Sequence, residues 1–383
     1  MLPITKEPEI SSRDGRIALI GLDRNALQIE LAKIGEAPYR SKQIWHWLYH
    51  RGVQKFDDMT TLPKYLRTLL NDHCTIDRPK IKRMQNSSDG SKKWLVEFPD
   101  GNEVECVHIP EEDRGALCIS SQVGCTLTCK FCHTGTQRLV RNLSSREIIE
   151  QFLIARDTIG EWPSSFDQRL ISNVVMMGMG EPLHNFEPVV KAMGLMLDSN
   201  AYGLSKRRVT LSTSGLVPQI KELSKHSDVS LTISLHAPND ELRNELVPVN
   251  KKYPIKELLQ SVRFYVDKCN DSRVTTFEYI LIDRVNDSLK LAKELADLLL
   301  DFPCKINLIP FNSFSESSYK RPSNNRVKRF QEFLQSKGYV VTIRSTRGDD
   351  IMAACGQLVG KVNDKTRRKE RNKKKELIQV KSI

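Results

Sequence analysis

Hydrophobic residues recur at helical spacing near the start of the chain and then switch to alternation. Three segments carry apolar residues every three or four positions, which predicts helices at 25–34, 42–51 and 62–74. Shorter alternating runs, separated by Ser-Asp-Gly and Asp-Gly turn sequences, then predict antiparallel strands at 80–84, 93–98 and 103–109. Residues 1–110 are therefore expected to form a small α+β accessory domain.

From Gly115 onwards, apolar β-branched runs alternate with amphipathic segments, a pattern typical of parallel strands joined by crossover helices. Helices are predicted at 145–159 and 255–267. The candidate strands are 116–120, 170–177, 208–213, 229–235, 274–282, 305–309 and 340–344. About six βα units predict an α/β fold over residues 111–360, a partial (β/α)6 TIM-like barrel whose open side suits a macromolecular substrate.

Composition narrows the class of protein. Of the 383 residues, 39% are hydrophobic and 28% charged, no apolar run approaches the roughly 20 residues of a membrane span, and the N-terminus lacks a secretory apolar stretch. A cytoplasmic location and reduced cysteines are expected. The net charge of +12 favours a polyanionic partner, and part of it lies in a basic tail, residues 361–383, with ten Lys or Arg and three Asp or Glu.

Three cysteines follow the first barrel strand at spacings of four and three residues: Cys125, Cys129 and Cys132. A structural zinc site normally has four protein ligands, and no fourth cysteine lies nearby in sequence. Three thiolates that leave one iron open to a small chelating molecule are typical of a [4Fe-4S] cluster. A zinc knuckle with a distant fourth ligand and a thioredoxin-like Cys129/Cys132 pair remain alternatives.

Other polar or glycine-rich segments follow later barrel strands. They comprise 177–182 with Gly180 and Glu181, 212–215 with Ser212, 234–236 with Ser234, Leu235 and His236, and 310–312 with Asn312. Each segment alone could be an ordinary turn or helix cap. Because the carboxyl ends of parallel strands meet at one edge, their shared placement favours a single ligand-binding rim.

These motifs, taken in order, resemble those of the bacterial RlmN family, radical S-adenosylmethionine (SAM) methyltransferases acting on adenosine C2 in 23S rRNA and tRNA. The resemblance extends from about residue 104 to 358, and the helical N-terminal module also resembles the family's accessory domain. The matching segments are 120–125 (SSQVGC), 129–132 (CKFC), 141–143 (RNL), 177–182 (MGMGEP), 212–215 (STSG), 234–238 (SLHAP), 310–312 (PFN) and 354–358 (ACGQL).

The resemblance implies a radical SAM barrel and a role for each motif residue. Cys125, Cys129 and Cys132 correspond to the ligands of a [4Fe-4S] cluster. Cys355 corresponds to the methyl-carrying cysteine, Cys118 to the cysteine that resolves the RNA adduct by forming a disulfide with Cys355, and Glu105 to the proton acceptor. The residues that correspond to SAM contacts are Gly180, Glu181, Ser212, Ser234, Leu235, His236 and Asn312.

The implied partners are 23S rRNA, tRNA and an external electron donor of the flavodoxin type, with the enzyme acting as a monomer. Two alternatives remain: a C8-specific adenosine methyltransferase of 23S rRNA, which shares the cluster and both catalytic cysteines, and a zinc-bound RNA-binding protein without turnover. A methylthiotransferase is disfavoured because that class carries three further cluster cysteines upstream. Only Cys74, Cys106 and Cys118 precede the triplet here, at spacings that do not support a second cluster.

Overall fold

The N-terminal module consists of three helices closed by a short parallel strand pair. The computed structural model describes residues 15–112, 114–163, 169–269, 271 and 274–360, so the predicted basic tail lies outside the described residues. The elements are β1 (Ile17–Ala18), α1 (Arg24–Lys33), α2 (Arg40–Tyr49), α3 (Lys64–His73) and β2 (Cys74–Thr75). Leu27, Ile44 and Leu66 are fully buried between the helices, as the helical spacing of apolar residues predicts.

Three antiparallel strands follow and join the barrel sheet. They are β3 (Lys80–Asn86), β4 (Lys92–Glu97) and β5 (Glu103–Glu111). Strand β5 pairs with β6 (Arg114–Cys118), and β6 pairs in parallel with the next barrel strand, so one ten-stranded sheet runs through both regions. The division into two domains near residue 110 stays a prediction.

The rest of the main sheet is parallel. Beyond β6 it contains β9 (Asn173–Met176), β10 (Val209–Thr213), β11 (Ser230–Ser234), β12 (Thr275–Leu281), β13 (Cys304–Pro310) and β14 (Val340–Ile343), in that spatial order. Within the described residues, β14 and β3 form the two edges of this sheet, so the barrel does not close. This arrangement confirms the predicted partial barrel with its open side.

Helices connect successive parallel strands. The crossovers run through α5 (Ser145–Ile159), α6 (Phe186–Leu197), α7 (Val217–His226), α9 (Ile255–Lys268), α10 (Leu289–Leu298) and α11 (Asn324–Ser336). Shorter elements are β7 (Gln122–Val123), α4 (His133–Thr136), β8 (Arg141–Asn142) and α8 (Asp240–Leu246). Within the described residues, no helix combines the length and hydrophobicity that crossing a bilayer requires.

Helix α5 shows how local sequence fixes the start and end of an element. Ser144 accepts a hydrogen bond from the Glu147 amide while the Glu147 side chain binds the Ser144 amide, and Gly160 ends the helix in the left-handed conformation. The helix is buried along most of its length. It therefore packs the first barrel strands into a fixed position, from which the cysteine loop departs.

Candidate active site at the carboxyl ends of the barrel strands

The cysteine loop runs from β7 to α4, above the end of the first barrel strand. Gly124 begins it at φ +75°, and a Cβ there would lie 2.2 Å from the Arg138 carbonyl oxygen, so only glycine fits this turn. Cys125, Cys129 and Cys132 all line one large cavity, whose empty volume is about 860 Å³ including the part open to solvent.

Burial affects all three thiols in the same direction. It raises the pKa of Cys125 to about 12, and it raises the pKa values of Cys129 and Cys132 as well. Without a cation the three groups therefore stay protonated. Binding of a metal centre has to displace these protons, and a buried positive centre compensates the thiolates that result.

The chemistry of the donor set fits an iron–sulfur cluster better than a single ion. Among the described residues, no three His, Cys, Asp or Glu side chains form a group that could hold one metal ion. Three cysteines that bind different irons of one cluster need not converge on a point, and all three line the same cavity. His133, next to Cys132, instead stacks on Phe314 with ring centroids 4.9 Å apart.

Glu181 lines the same cavity after strand β9. It is 2% exposed, and its carboxylate oxygens accept hydrogen bonds from the amides of Leu183 at 3.1 Å and Ser214 at 2.9 Å. Burial raises the pKa of this carboxyl to about 7. Within the described part of the chain Glu181 has no ion-pair partner, so a ligand ammonium group would supply the missing positive charge.

Gly180 has a structural requirement of its own. It adopts φ +100°, and a Cβ at this position would lie 2.5 Å from the Cβ of Gln122. The Gln122 side chain accepts a hydrogen bond from the Glu181 amide at 2.8 Å. The absence of a side chain at Gly180 therefore lets the backbone pack closely against Gln122. The hydrogen bond from the Glu181 amide to Gln122 then orients Glu181.

Ser212, Ser234 and His236 also line the large cavity, whereas Leu235 does not. His236 is a non-glycine residue at φ +63°, and its Nδ1 accepts a hydrogen bond from the Ile280 amide at 3.1 Å. Burial lowers the pKa of His236 to about 3, so the ring is neutral. Leu235 is fully buried in the core.

Arg243 of helix α8 bonds to the ends of strands β10 and β11; the sequence reasoning did not single it out. It is fully buried and donates hydrogen bonds to the carbonyls of Ser214, Ser234 and Leu235 at 2.6, 3.1 and 3.0 Å. Its remaining contact is the Asn250 side chain at 2.7 Å. The buried guanidinium thus holds the ends of β10 and β11 together beneath the cavity.

A second, smaller cavity adjoins the first and has an empty volume of about 440 Å³. Cys118, Asn312 and Cys355 line it, and Cys355, Met177 and Ile309 line both cavities. All nine cysteines lie in the described part of the chain and are free thiols. The predicted methyl-carrying and resolving cysteines therefore face one shared space, with Cys355 between that space and the cluster cysteines.

Arg344, also missed by the sequence reasoning, follows β14 and lines the smaller cavity. Its guanidinium donates to the Met177 sulfur at 3.4 Å, and the buried Glu278 carboxylate interacts with its charge. The Cys355 charge raises the pKa of Arg344 further. Burial raises the pKa of the Cys355 thiol and Arg344 opposes that rise, so Arg344 favours the thiolate.

Glu105 lines neither cavity. Its carboxylate pairs with Lys93 Nζ at 2.9 Å and accepts a hydrogen bond from the Val359 amide at 2.9 Å. Burial raises its pKa, while Lys93 opposes the rise. Glu105 thus lies behind the segment that carries Cys355 and does not line either cavity.

Comparison with known proteins decides the family. Residues 17–76 match the ribosomal RNA large subunit methyltransferase N-terminal domain, and residues 119–291 match the radical SAM superfamily. A dual-specificity RNA methyltransferase RlmN of Pseudomonas putida is 52% identical over 362 residues, 94% of this chain and 95% of that protein. The RlmN of Rhodospirillum rubrum is 52% identical over 343 residues, 89% of this chain and 80% of that protein. This chain belongs to the RlmN family.

The fold of a solved relative agrees. A radical SAM methyltransferase from Sphaerobacter thermophilus is 42% identical and superposes with a TM-score of 0.83. The superposition covers 89% of this chain and 98% of that one. The expected RlmN membership, radical SAM fold and SAM-dependent enzyme class are therefore confirmed, as are the [4Fe-4S] cluster and SAM as the family's cofactors. The roles of individual site residues stay predictions.

Proposed function

We propose that this chain methylates C2 of adenosine in 23S rRNA and tRNA, with Cys355 carrying the transferred methyl group. One observation carries the proposal: Cys355 lines both the cavity that contains the three cluster cysteines and the cavity that contains Cys118. A cysteine in this position reaches a methyl donor on one side and a resolving thiol on the other. RNA enters through the open side of the barrel, where a flipped base can approach Cys355.

Within this proposal the large cavity binds SAM. Glu181 pairs with the SAM ammonium group, and Ser212, Ser234 and the neutral His236 contact the rest of the molecule. Cys125, Cys129 and Cys132 hold the [4Fe-4S] cluster. When bound, the cluster supplies the electron that cleaves SAM reductively and starts the radical chemistry on the methylated cysteine.

The chain's own groups perform the polar steps. The Cys355 thiolate, favoured by Arg344, displaces the methyl group of SAM: a sulfur–carbon bond forms on Cys355, the sulfonium bond breaks, and S-adenosylhomocysteine leaves. After the methylene carbon has bonded to C2, the radical adduct loses one electron and the C2 proton; Glu105, which the family resemblance implies as the proton acceptor, lies behind the Cys355 segment and outside both cavities. The Cys118 thiolate then attacks the Cys355 sulfur: the sulfur–sulfur bond forms, and the bond from the Cys355 sulfur to the transferred carbon breaks. That carbon keeps the electron pair and takes up a proton to become the methyl group of the released base, and the disulfide is reset by external reductant.

Cys355→Ala tests this function. Iron content and cluster absorbance are expected to persist, because Cys355 is not a cluster ligand, while RNA methylation falls to background. The assay is mass spectrometry of nucleosides from RNA treated with the anaerobically reconstituted enzyme. The matched control is Cys304→Ala, at the opposite, amino-terminal end of β13, which should retain methylation.

The same measurement decides the base position. 2-Methyladenosine supports the proposal, whereas 8-methyladenosine would identify the C8-specific alternative. A protein without iron that binds RNA and never methylates it would identify the zinc-bound alternative. The flavodoxin-type electron donor, the monomeric state and the cytoplasmic location stay predictions.

A further inference from the structure

Cys355 lies in an irregular segment after the last barrel strand, here called the Cys355 loop (residues 347–360). Three of its residues, Gly348, Met352 and Gly356, adopt positive φ angles of 63°, 53° and 82°. Met352 is the unusual one, because the Cβ of a non-glycine residue disfavours this left-handed conformation. The loop therefore depends on contacts from elsewhere in the protein to keep its shape.

The barrel and the cysteine loop hold its centre. The Asn312 side chain donates to the Cys355 carbonyl at 3.2 Å, and the His133 amide donates to the Gly356 carbonyl at 2.7 Å. The Thr134 hydroxyl donates to the Leu358 carbonyl at 2.7 Å. These contacts bring the loop next to Cys132 and hold the carbonyls of Cys355, Gly356 and Leu358, but none of the three binds the segment before Cys355.

A buried ion pair on the antiparallel strands holds the two flanks. Lys93 of β4 is 5% exposed, and its Nζ donates to the Met352 carbonyl at 3.0 Å and to Glu105 at 2.9 Å. The other Glu105 oxygen accepts the Val359 amide at 2.9 Å. One Lys–Glu pair therefore binds the chain three residues before Cys355 and four residues after it.

We propose that Lys93 is a positioning residue for the methyl transfer to Cys355, acting through the Met352 carbonyl and through Glu105. The proposal rests on the proposed function of Cys355 as methyl carrier. It also gives Glu105 a second role, because its carboxylate holds the Val359 flank of the loop besides accepting a proton.

The physical reason is the geometry of displacement at carbon. The Cys355 sulfur has to approach the SAM methyl in line with the bond that breaks, and misplacement by about 1 Å costs up to roughly 100-fold in rate. In Lys93→Met the Met352 carbonyl loses its donor, so the contact before Cys355 is lost, and Glu105 loses the counter-ion that positions it against the Val359 amide. We expect Cys355 methylation to slow by roughly 10- to 100-fold.

The test compares Lys93→Met with Lys92→Met in the full chain. Lys92 is the neighbouring residue of β4, points to the other face of the sheet, and donates a hydrogen bond to the Asn86 side chain at 3.2 Å. Reconstituted enzyme is incubated with SAM in the absence of RNA, and the methyl group on Cys355 is measured by peptide mass spectrometry. Iron content, and SAM affinity by equilibrium dialysis, are measured on the same preparations.

Lys93→Met should lower Cys355 methylation while iron content and SAM affinity stay as in Lys92→Met, whereas general loss of structure would lower all three together. Amide hydrogen exchange, with and without the cluster, should accelerate in residues 353–359 and stay unchanged in β12. The proposal is wrong if Lys93→Met methylates Cys355 as fast as Lys92→Met, or if exchange in the loop is unaltered. Failure of the wild type to methylate Cys355 would instead refute the proposed function, and the exchange comparison would still decide the role of Lys93.

A second variant allows for misfolding, because Lys93→Met leaves the Glu105 charge buried and unpaired. In the double variant Lys93→Met/Glu105→Gln that charge is absent, yet the Met352 carbonyl still lacks its donor. We expect it to methylate Cys355 more slowly than Glu105→Gln alone, in which Lys93 still donates to the Met352 carbonyl. Equal rates in these two variants would overturn the proposal.

Discussion

Replacing Arg243 should uncouple the ends of strands β10 and β11 and so lower the affinity of the proposed site for SAM. The guanidinium is fully buried and makes four hydrogen bonds, three of them to the carbonyls of Ser214, Ser234 and Leu235. Methionine has a similar length and shape but no donors. Arg243→Met therefore leaves these buried carbonyl oxygens without a donor, while the methionine side chain occupies most of the volume of the arginine stem.

The magnitude follows from the number of acceptors that lose a donor. An unsatisfied buried acceptor costs about 1–3 kcal/mol, and removal of the buried charge returns part of that through desolvation. Burial lowers the pKa of Arg243 to about 10, which indicates how unfavourable its charged form is at this site. We expect a net loss of roughly 3 kcal/mol in the free energy of unfolding.

The assay is urea unfolding followed by far-ultraviolet circular dichroism, with SAM affinity measured by equilibrium dialysis on reconstituted protein. SAM should bind more weakly, because Ser214 also donates its amide to Glu181 at 2.9 Å and its carbonyl would be released. Arg263→Met is the control: that exposed side chain makes one hydrogen bond, to the Asp301 carbonyl, and should change stability by less than about 0.5 kcal/mol. If both variants unfold at the same urea concentration, Arg243 does not hold the strand ends.

Two further predictions concern backbone strain and pH. Gly180→Ala should lower the free energy of unfolding by roughly 1–3 kcal/mol, because φ is +100° and the new Cβ would lie 2.5 Å from Gln122. The control Gly194→Ala lies in helix α6, where the new Cβ meets open space, and it should raise the free energy of unfolding. Thermal melts of both variants test the two expectations. Burial raises the pKa of Glu150 to about 7, so the folded state retains a proton that the unfolded state loses, and stability should fall as pH rises from about 4.5 to 7. Glu150→Gln should therefore unfold at higher urea than wild type at pH 8 and lose this advantage towards pH 5; an advantage independent of pH would contradict the assignment.

The sequence predicts the positions of the candidate site better than it predicts how they are supported. Parallel topology alone requires that the ends of β9, β10, β11 and β13 meet at one edge, so Glu181, Ser212 and Ser234 could be assigned to one rim before the structure was known. The same reasoning included Leu235, whose side chain points into the core because alternation along a strand sends neighbouring residues to opposite faces.

The supporting residues could not be predicted because their partners are remote in sequence and their types are ambiguous. Lys93 and Met352 are 259 positions apart, and nothing in an alternating strand distinguishes a buried lysine from a solvated one. Glu105 illustrates the same limit: its role was implied by resemblance, whereas its placement behind the Cys355 loop depends on the contacts of two sheet regions. The chemistry of this site is therefore set by short motifs, and the geometry that the chemistry requires is set by buried charges joining segments far apart along the chain.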